Sequence, residues 1–350
     1  MNTGWILSLL VYAPHLAFFW RIFGPAAVAL WLVLGLWLGF FLSLVRFCRE
    51  RLGKVVSVLL APWLWMGLEY FRSELYYLRF SWLNVGYAFS WTNVLPTFAW
   101  LGVYGIGLIL MAGAAGLSLL PRRQALIIGL AALGGLGLLT NLPRERTNSA
   151  PNRELRVAGM QMEFPAELEV PGLLEQLRSK YPEADLYVLP EYTFQDPVPK
   201  RTKDWCRKNQ KYLLVGGKEP IVGKQFYNMA YVIGPDGEVV FRARIAPMRA
   251  AEYHIPILRV ASPGVSQLVT PAGRITETKQ FPGSAEMLSG VLQLGAPARL
   301  PIDRWMVWPA LVIAGCIALW GFWLALWRRE KAETQATAEQ KQAEVASRDD

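Results

Sequence analysis

Six long apolar stretches, residues 5–23, 26–47, 55–71, 94–120, 125–142 and 306–327, constrain this chain more than any other feature. About 20 apolar residues in a helix cross the ~30 Å hydrocarbon core of a bilayer. No water is available there, so each segment must satisfy its backbone N–H and C=O groups internally, which a helix does. Five spans, a return to polar sequence and one last span are therefore expected. The third stretch is the weakest, because Glu69 interrupts it near one end. Trp82, Trp91, Trp305, Trp308 and Trp327 fall near stretch ends, where an interfacial aromatic belt places them. The first stretch has no Lys or Arg before it and no small-residue cleavage site after it, so it reads as a retained span.

Charge divides the chain in the same way. Only 18% of residues are charged, against about 25% in ordinary soluble domains, and the deficit lies in the apolar stretches. The expected organisation is a transmembrane bundle over residues 1–142, a soluble domain over 143–304, a final transmembrane helix over 305–328 and a polar tail over 329–350. The short loops fix a sidedness. Arg46, Arg49, Arg51, Lys54, Arg122, Arg123, Arg328, Arg329 and Lys331 share one side, and Arg21, Arg72 and Arg79 lie on the other. Cytoplasmic loops carry the excess of cations, which places both termini in the cytoplasm and the soluble domain outside the membrane. Glycines recur inside the spans, among them Gly35 and Gly39 as a GxxxG, and read as close helix packing within the bundle. The tail from Arg328 to Asp350 reads as a fraying helix or a disordered segment.

The formal net charge of +9 needs no nucleic-acid partner, since much of the surplus flanks the spans. No basic stripe interleaved with aromatics is present on the soluble part. The cysteines Cys48, Cys206 and Cys316 are scattered, there is no CxxC, and the only histidines are His15 and His254. That pattern predicts neither a disulfide framework nor a metal site, and no cofactor is expected.

Within 143–304 the pattern alternates. Residues 155–161, 186–189 and 212–216 read as strands, with helical patterns at 173–181 and 200–209 between them. Residues 227–233 and 238–245 flank Gly234-Pro235-Asp236-Gly237, a strong hairpin signal. Residues 257–261 and 265–270 read as two further strands, with a second turn at 271–274. Strand–helix alternation followed by hairpins argues for a layered α/β domain.

Several of these segments, in this order, resemble the apolipoprotein N-acyltransferase family, bacterial enzymes that complete lipoprotein acylation. In the bundle the resemblance rests on Trp65-Met-Gly-Leu-Glu69-Tyr-Phe-Arg72-Ser73, on Phe80-Ser-Trp82-Leu-Asn-Val-Gly86-Tyr87 and on Gly102-Val-Tyr104-Gly105. In the soluble part it rests on Val157-Ala-Gly-Met-Gln161, Leu189-Pro190-Glu191, Leu214-Val-Gly216, Tyr227-Asn228 and the stretch from Arg249 through Pro256 and Gly264 to Arg274. The resemblance implies a nitrilase-like αββα sandwich, here shortened, carried outside the bacterial inner membrane by an α-helical transmembrane bundle. It also implies membrane phospholipid as a partner, and lipoproteins as acyl acceptors. Oligomeric state is not legible.

The family's chemistry uses a carboxylate base, an oxyanion-stabilising lysine and a cysteine thiolate, which takes an acyl chain from a phospholipid ester and passes it to the amine of a diacylglyceryl-cysteine. By this resemblance Glu191 holds the position of the general base. Arg242 or Arg244, in Phe241-Arg-Ala-Arg-Ile-Ala-Pro247, stands where the family has its lysine. Either could serve as a fixed cation but not exchange a proton. The nucleophile is absent. Only Met248 separates Pro247 from Arg249, so the segment that bears the family's cysteine is missing. Cys206, beside Arg207 and Lys208, is a remote substitute, and Ser262 and Ser266 lack a G-x-S-x-G context. Three readings stay open: a homologue that has lost catalysis and keeps a lipid- or lipoprotein-binding role, an active acyltransferase or hydrolase with another nucleophile or a partner chain, and a non-catalytic membrane scaffold.

Overall fold

The computed structural model describes residues 2–78, 81, 83–89, 95–140, 153–162, 165–191, 193–220, 226–244, 256–261, 265–271, 274–279, 286–294 and 300–346. The chain divides into two compact units, one comprising Met1–Val94, Leu101–Leu142 and Ile302–Asp350, the other Leu95–Trp100 and Pro143–Pro301.

The first unit is helical: α1 (Asn2–His15), α2 (Phe18–Phe23), α3 (Ala26–Leu52), α4 (Lys54–Tyr70), the part of α5 (Leu95–Leu117) from Leu101 onward, α6 (Arg122–Thr140) and α9 (Asp303–Ala346). Among the described residues, three helical segments are long and apolar enough to cross a membrane: Ala26–Leu52, Trp100–Leu117 and Asp303–Gln335. Several expected boundaries shift. The stretch 5–23 is two helices, not one, and Pro14 stands just before the break. A proline removes one helical hydrogen bond and crowds the preceding turn. The third stretch is a 17-residue helix, and Phe71–Leu75 continues it as a π turn. The fourth is interrupted at Gly102, whose φ is 69°. The last continues well beyond the apolar stretch, so the polar tail is helical as far as Ala346. Gly35 is buried against Ser8 of α1, which is the intra-bundle packing expected of the GxxxG pair.

The second unit contains a six-stranded mixed sheet in the order β5-β4-β3-β2-β1-β9 and a three-stranded sheet in the order β6-β7-β8. The strands are β1 (Arg153–Gln161), β2 (Leu186–Val188), β3 (Tyr212–Pro220), β4 (Phe226–Ile233), β5 (Val239–Arg244), β6 (Ile257–Arg259), β7 (Ser266–Val269), β8 (Ile275–Lys279) and β9 (Glu286–Leu294). Strands β1, β2 and β3 are parallel, joined through α7 (Val170–Lys180) and α8 (Lys200–Asn209). Helix α7 buries Val170, Leu174 and Leu177, and α8 buries Thr202, Trp205 and Cys206. These i, i+3, i+4 and i+7 spacings make one apolar stripe per helix, and both stripes join Ala158, Met160, Tyr187, Leu213, Val215 and Tyr231 of the sheet in a single core. Gly237, with φ 76°, closes the β4–β5 hairpin, where Gly234 N–H donates to Glu238 O at 2.9 Å. A positive φ costs glycine little.

The smaller sheet packs face to face on the larger one. A Cβ at Gly159 of β1 would meet Val260 Cγ2 at 2.5 Å, and one at Gly290 of β9 would overlap Leu268 Cδ2. Among the described residues the order of layers is therefore helix, sheet, sheet. A second helical layer is not found there. The helical bundle and the layered α/β domain are thus both present as expected, with β8 and β9 added to the strands legible in the sequence.

Candidate functional site

Glu191 follows β2 directly, at the carboxyl end of the parallel strands, and is half-buried. The backbone holds it there. Leu189 N–H donates to Leu214 O at 2.9 Å, Gly216 N–H to Pro190 O at 3.2 Å and Phe194 N–H to Gly216 O at 3.2 Å. The Thr193 hydroxyl closes the turn by donating to Pro190 O at 2.7 Å, and Lys218 Nζ of β3 donates to Gln195 Oε1 at 2.5 Å. Sites in open α/β sheets form beyond the carboxyl ends of the strands, so the position suits a reacting carboxylate.

The cations proposed from sequence lie elsewhere in the same sheet. In the β4–β5 ladder Arg242 is paired in register with Tyr231 and Arg244 with Met229. Strand β5 is the sheet's edge, three strands from β2, or roughly 14 Å at ~4.8 Å per strand. The side chains of Arg242 and Arg244 lie outside the described residues. So does the junction Pro247–Arg249.

The substitute nucleophiles can be judged from their surroundings. Cys206 is fully buried on the sheet-facing side of α8, and burial pushes its thiol up to about 12. A reactive cysteine needs its thiolate near neutral pH, so this one is a packing residue. Its neighbour Trp205 donates from Nε1 to Glu175 Oε2 at 3.1 Å, and Arg178 beside it holds the Glu175 carboxyl below its ordinary value. Ser266 is also fully buried. Its hydroxyl donates to Gln161 Oε1 at 2.7 Å and accepts from Ala261 N–H at 3.0 Å, which makes it a tie between the two sheets. Ser262 lies outside the described residues.

A polar cluster in the helical unit was only half visible in the sequence. Glu69, Arg72, Ser73, Asn84, Tyr104 and Asp303 are all buried. Glu69 Oε1 accepts from Val85 N–H at 3.2 Å and stands 4.0 Å from Arg72 Nη2. Tyr104 donates its hydroxyl to Glu74 Oε1 at 2.9 Å and its N–H to Asp303 Oδ2 at 3.0 Å. Arg304 lies 3.8 Å from Glu74 and 5.8 Å from the Tyr104 ring centroid. Gly102 permits this approach, since a Cβ there would overlap the Asp303 carboxylate. Arg72, expected as a loop cation, is thus an interior residue. Polar pairs inside a helical membrane unit mark function or tight packing. The signal that could have found it was spacing: Glu69 and Arg72 are i, i+3 neighbours on a helix.

Among the described residues no group of His, Cys, Asp and Glu is placed to hold a metal ion.

Solved structures similar to part of this chain are a carbon–nitrogen hydrolase from Helicobacter pylori G27, Nit3 from Saccharomyces cerevisiae and an amidase from Nesterenkonia sp. AN1. The first has 12% identity and a TM-score of 0.33, over 40% of this chain and 89% of that one. Nit3, a member of branch 10 of the nitrilase superfamily, has 11% identity and a TM-score of 0.33, over 42% of this chain and 93% of that one. The amidase has 13% identity and a TM-score of 0.32, over 40% of this chain and 93% of that one. No curated protein sequence matches the chain. Residues 1–116 match the family model for the apolipoprotein N-acyltransferase N-terminal domain. Over that third of its length, the part that holds the Glu69–Arg72 cluster, this chain is similar to the apolipoprotein N-acyltransferases whose motifs it resembles.

Proposed function

We propose that this chain is an apolipoprotein N-acyltransferase-like protein of the bacterial inner membrane in which acyl transfer has been lost. In this reading the α/β unit lies in the periplasm, both termini are cytoplasmic, and the retained role is binding of phospholipid, with lipoproteins as candidate partners. One observation carries the loss of catalysis: Cys206 is the single cysteine between residues 143 and 304, and it is buried with its thiol raised to about 12. In the family reaction a carboxylate takes the thiol proton, the thiolate adds to the ester carbonyl, and the lysophospholipid leaves as the thioester forms. Glu191 keeps the position of that base, yet no sulfur is available for it to activate. The remaining cysteines, Cys48 and Cys316, belong to α3 and α9.

The persistence of Glu191 at the strand end favours a second reading, an acyltransferase or hydrolase supplied with a nucleophile by another chain. One experiment separates the two. A reporter lipoprotein is analysed by mass spectrometry from cells depleted of their own N-acyltransferase and expressing this chain. The expected reporter is diacylated. A triacylated reporter that reverts in Glu191→Ala would refute the loss of catalysis.

A further inference from the structure

The helical unit contains a small cavity lined by Tyr12 of α1, Trp37 and Phe41 of α3, Trp65 and Glu69 of α4, and Arg72 of the π turn. It leaves about 10 Å³ for the centre of a guest, which is the room one water takes. The polar atoms of its lining residues are mostly donors. Trp37 Nε1, Trp65 Nε1, Arg72 Nε and Arg72 Nη2 are all buried and reach no hydrogen-bond acceptor among the described residues. Arg72 Nη2 stands 4.0 Å from Glu69 Oε1, and the two side chains are only 4% and 2% exposed. That gap is too long for a direct hydrogen bond, whereas two bonds of ~2.8 Å meeting near a right angle span it. A polar contact at such a distance is the usual sign of a bridging molecule.

Chemistry selects the bridge. Indole and guanidinium groups donate and cannot accept, so their side of the cavity requires an acceptor. The Glu69 carboxylate accepts from Val85 N–H through Oε1 and, as a carboxylate, has further lone pairs that call for a donor. An anion would satisfy the N–H groups but stand against Glu69, and a cation would satisfy Glu69 but stand against Arg72. A larger polar molecule exceeds the volume. Water accepts and donates at once and fits. Trp65 lies one turn before Glu69 on the same face of α4, so its indole N–H is the one that shares a neighbourhood with the carboxylate.

We propose that this cavity is a single-water site, in which the water donates to the Glu69 carboxylate and accepts from Arg72 and from Trp65 Nε1. The buried ion pair of the bundle is then a water-mediated one, and Val85, Glu69, the water and Arg72 form one hydrogen-bonded chain. The proposal uses the geometry of the helical unit alone and stands whether or not acyl transfer is lost.

Crystals of the full chain grown in a lipidic cubic phase, diffracting far enough to show ordered water, give the direct test. The expected density is one isolated peak within about 3.2 Å of both the Glu69 carboxylate and the Arg72 guanidinium. Arg72 in direct contact with Glu69, or the two side chains still apart with no peak between them, would overturn the proposal. X-ray radiolysis followed by mass spectrometry gives a second test, since hydroxyl radicals formed from a bound water oxidise the side chains beside it. Trp65 of the wild-type chain is expected to be oxidised although its indole N–H is buried. Glu69→Leu combined with Arg72→Leu leaves an apolar cavity, which stays dry. This variant is expected to lose most of the Trp65 oxidation, while its helical circular dichroism and the oxidation of Trp305, which is 73% exposed, stay unchanged. Equal Trp65 oxidation in the wild-type chain and the folded variant would also overturn the proposal. Should the double variant fail to fold, the wild-type crystal decides alone.

Discussion

At the scale of single residues, two buried groups decide how the chain behaves. Cys206 is enclosed by α8 and the sheet, and desolvation favours its neutral thiol. With its thiol at about 12, carboxymethylation of the native chain at pH 8 is expected to run on the order of a thousandfold slower than for an exposed thiol of pKa ~8.5. Full reactivity should return on unfolding, as peptide mass spectrometry would show. The same shift gives a pH dependence. Between its ordinary value of 9.0 and about 12 the folded state keeps the proton that the unfolded state loses. The contribution is therefore complete below that window and declines as pH rises through it. Arg72 and Glu69 make the second case. Removing one partner of a buried pair leaves the other unpaired, at a cost of about 3–5 kcal/mol. Glu69→Leu is expected to lower the stability of the detergent-solubilised protein by that order, and Glu69→Leu with Arg72→Leu to recover much of it. A double variant that loses the sum of the separate Glu69→Leu and Arg72→Leu losses, measured by thermal melting, would show that the two side chains do not act as a pair. The sequence presented both residues, but gave Arg72 the look of a loop cation because only the π turn carries it inward.

At the scale of elements, the two sheets meet over glycines where no side chain fits. Gly290→Ala would push its Cβ onto Leu268 Cδ2, and Gly159→Ala would do the same to Val260 Cγ2. Overpacking of this kind typically costs about 1–3 kcal/mol. Each variant should lower the melting temperature of the α/β unit, and Gly290→Ala with Leu268→Ala should lose less than the separate losses combined. Much of this unit was legible beforehand. The stripes of α7 and α8 and the turn at Gly234–Gly237 are local signals that fix helix faces and a hairpin from neighbouring residues alone. Strand β9 was not legible. It has one fully buried side chain, Leu288, and its ladder is with β1, from Arg153↔Leu294 to Gln161↔Glu286. A pairing across that sequence distance leaves little trace in local alternation. The break at Gly102 was invisible for the same reason, since the carboxylate that requires it, Asp303, is supplied by a helix near the other end of the chain.

At the scale of the whole molecule, the chain's organisation and its chemistry were legible to different degrees. The apolar character of the helical unit, the α/β unit and the place of Glu191 at a strand end follow from patterns that a single sequence carries, whereas the helix bounds do not. The arginines of β5 could be placed on a strand but not brought to a carboxylate, because strand order is a property of the assembled sheet. The sidedness drawn from loop charge can now be refined. With Arg72 buried, the sparse side keeps only Arg21 and Arg79 from its original three cations, against nine on the other, and the bias expected to orient the bundle becomes steeper. Both termini in the cytoplasm is therefore the expected arrangement. Fusing a fluorescent protein after Asp350 should give bright cells, and alkaline phosphatase at the same point should be inactive. Phosphatase inserted at Lys203, in the α/β unit, should be active. Reversing the charge bias tests the cause as well as the outcome. If cations set the topology, replacing Arg46, Arg49, Arg51 and Lys54 by Gln should raise phosphatase activity at the C-terminus. A C-terminal phosphatase active in the unaltered chain would show that residues 306–327 do not return the chain to the cytoplasm.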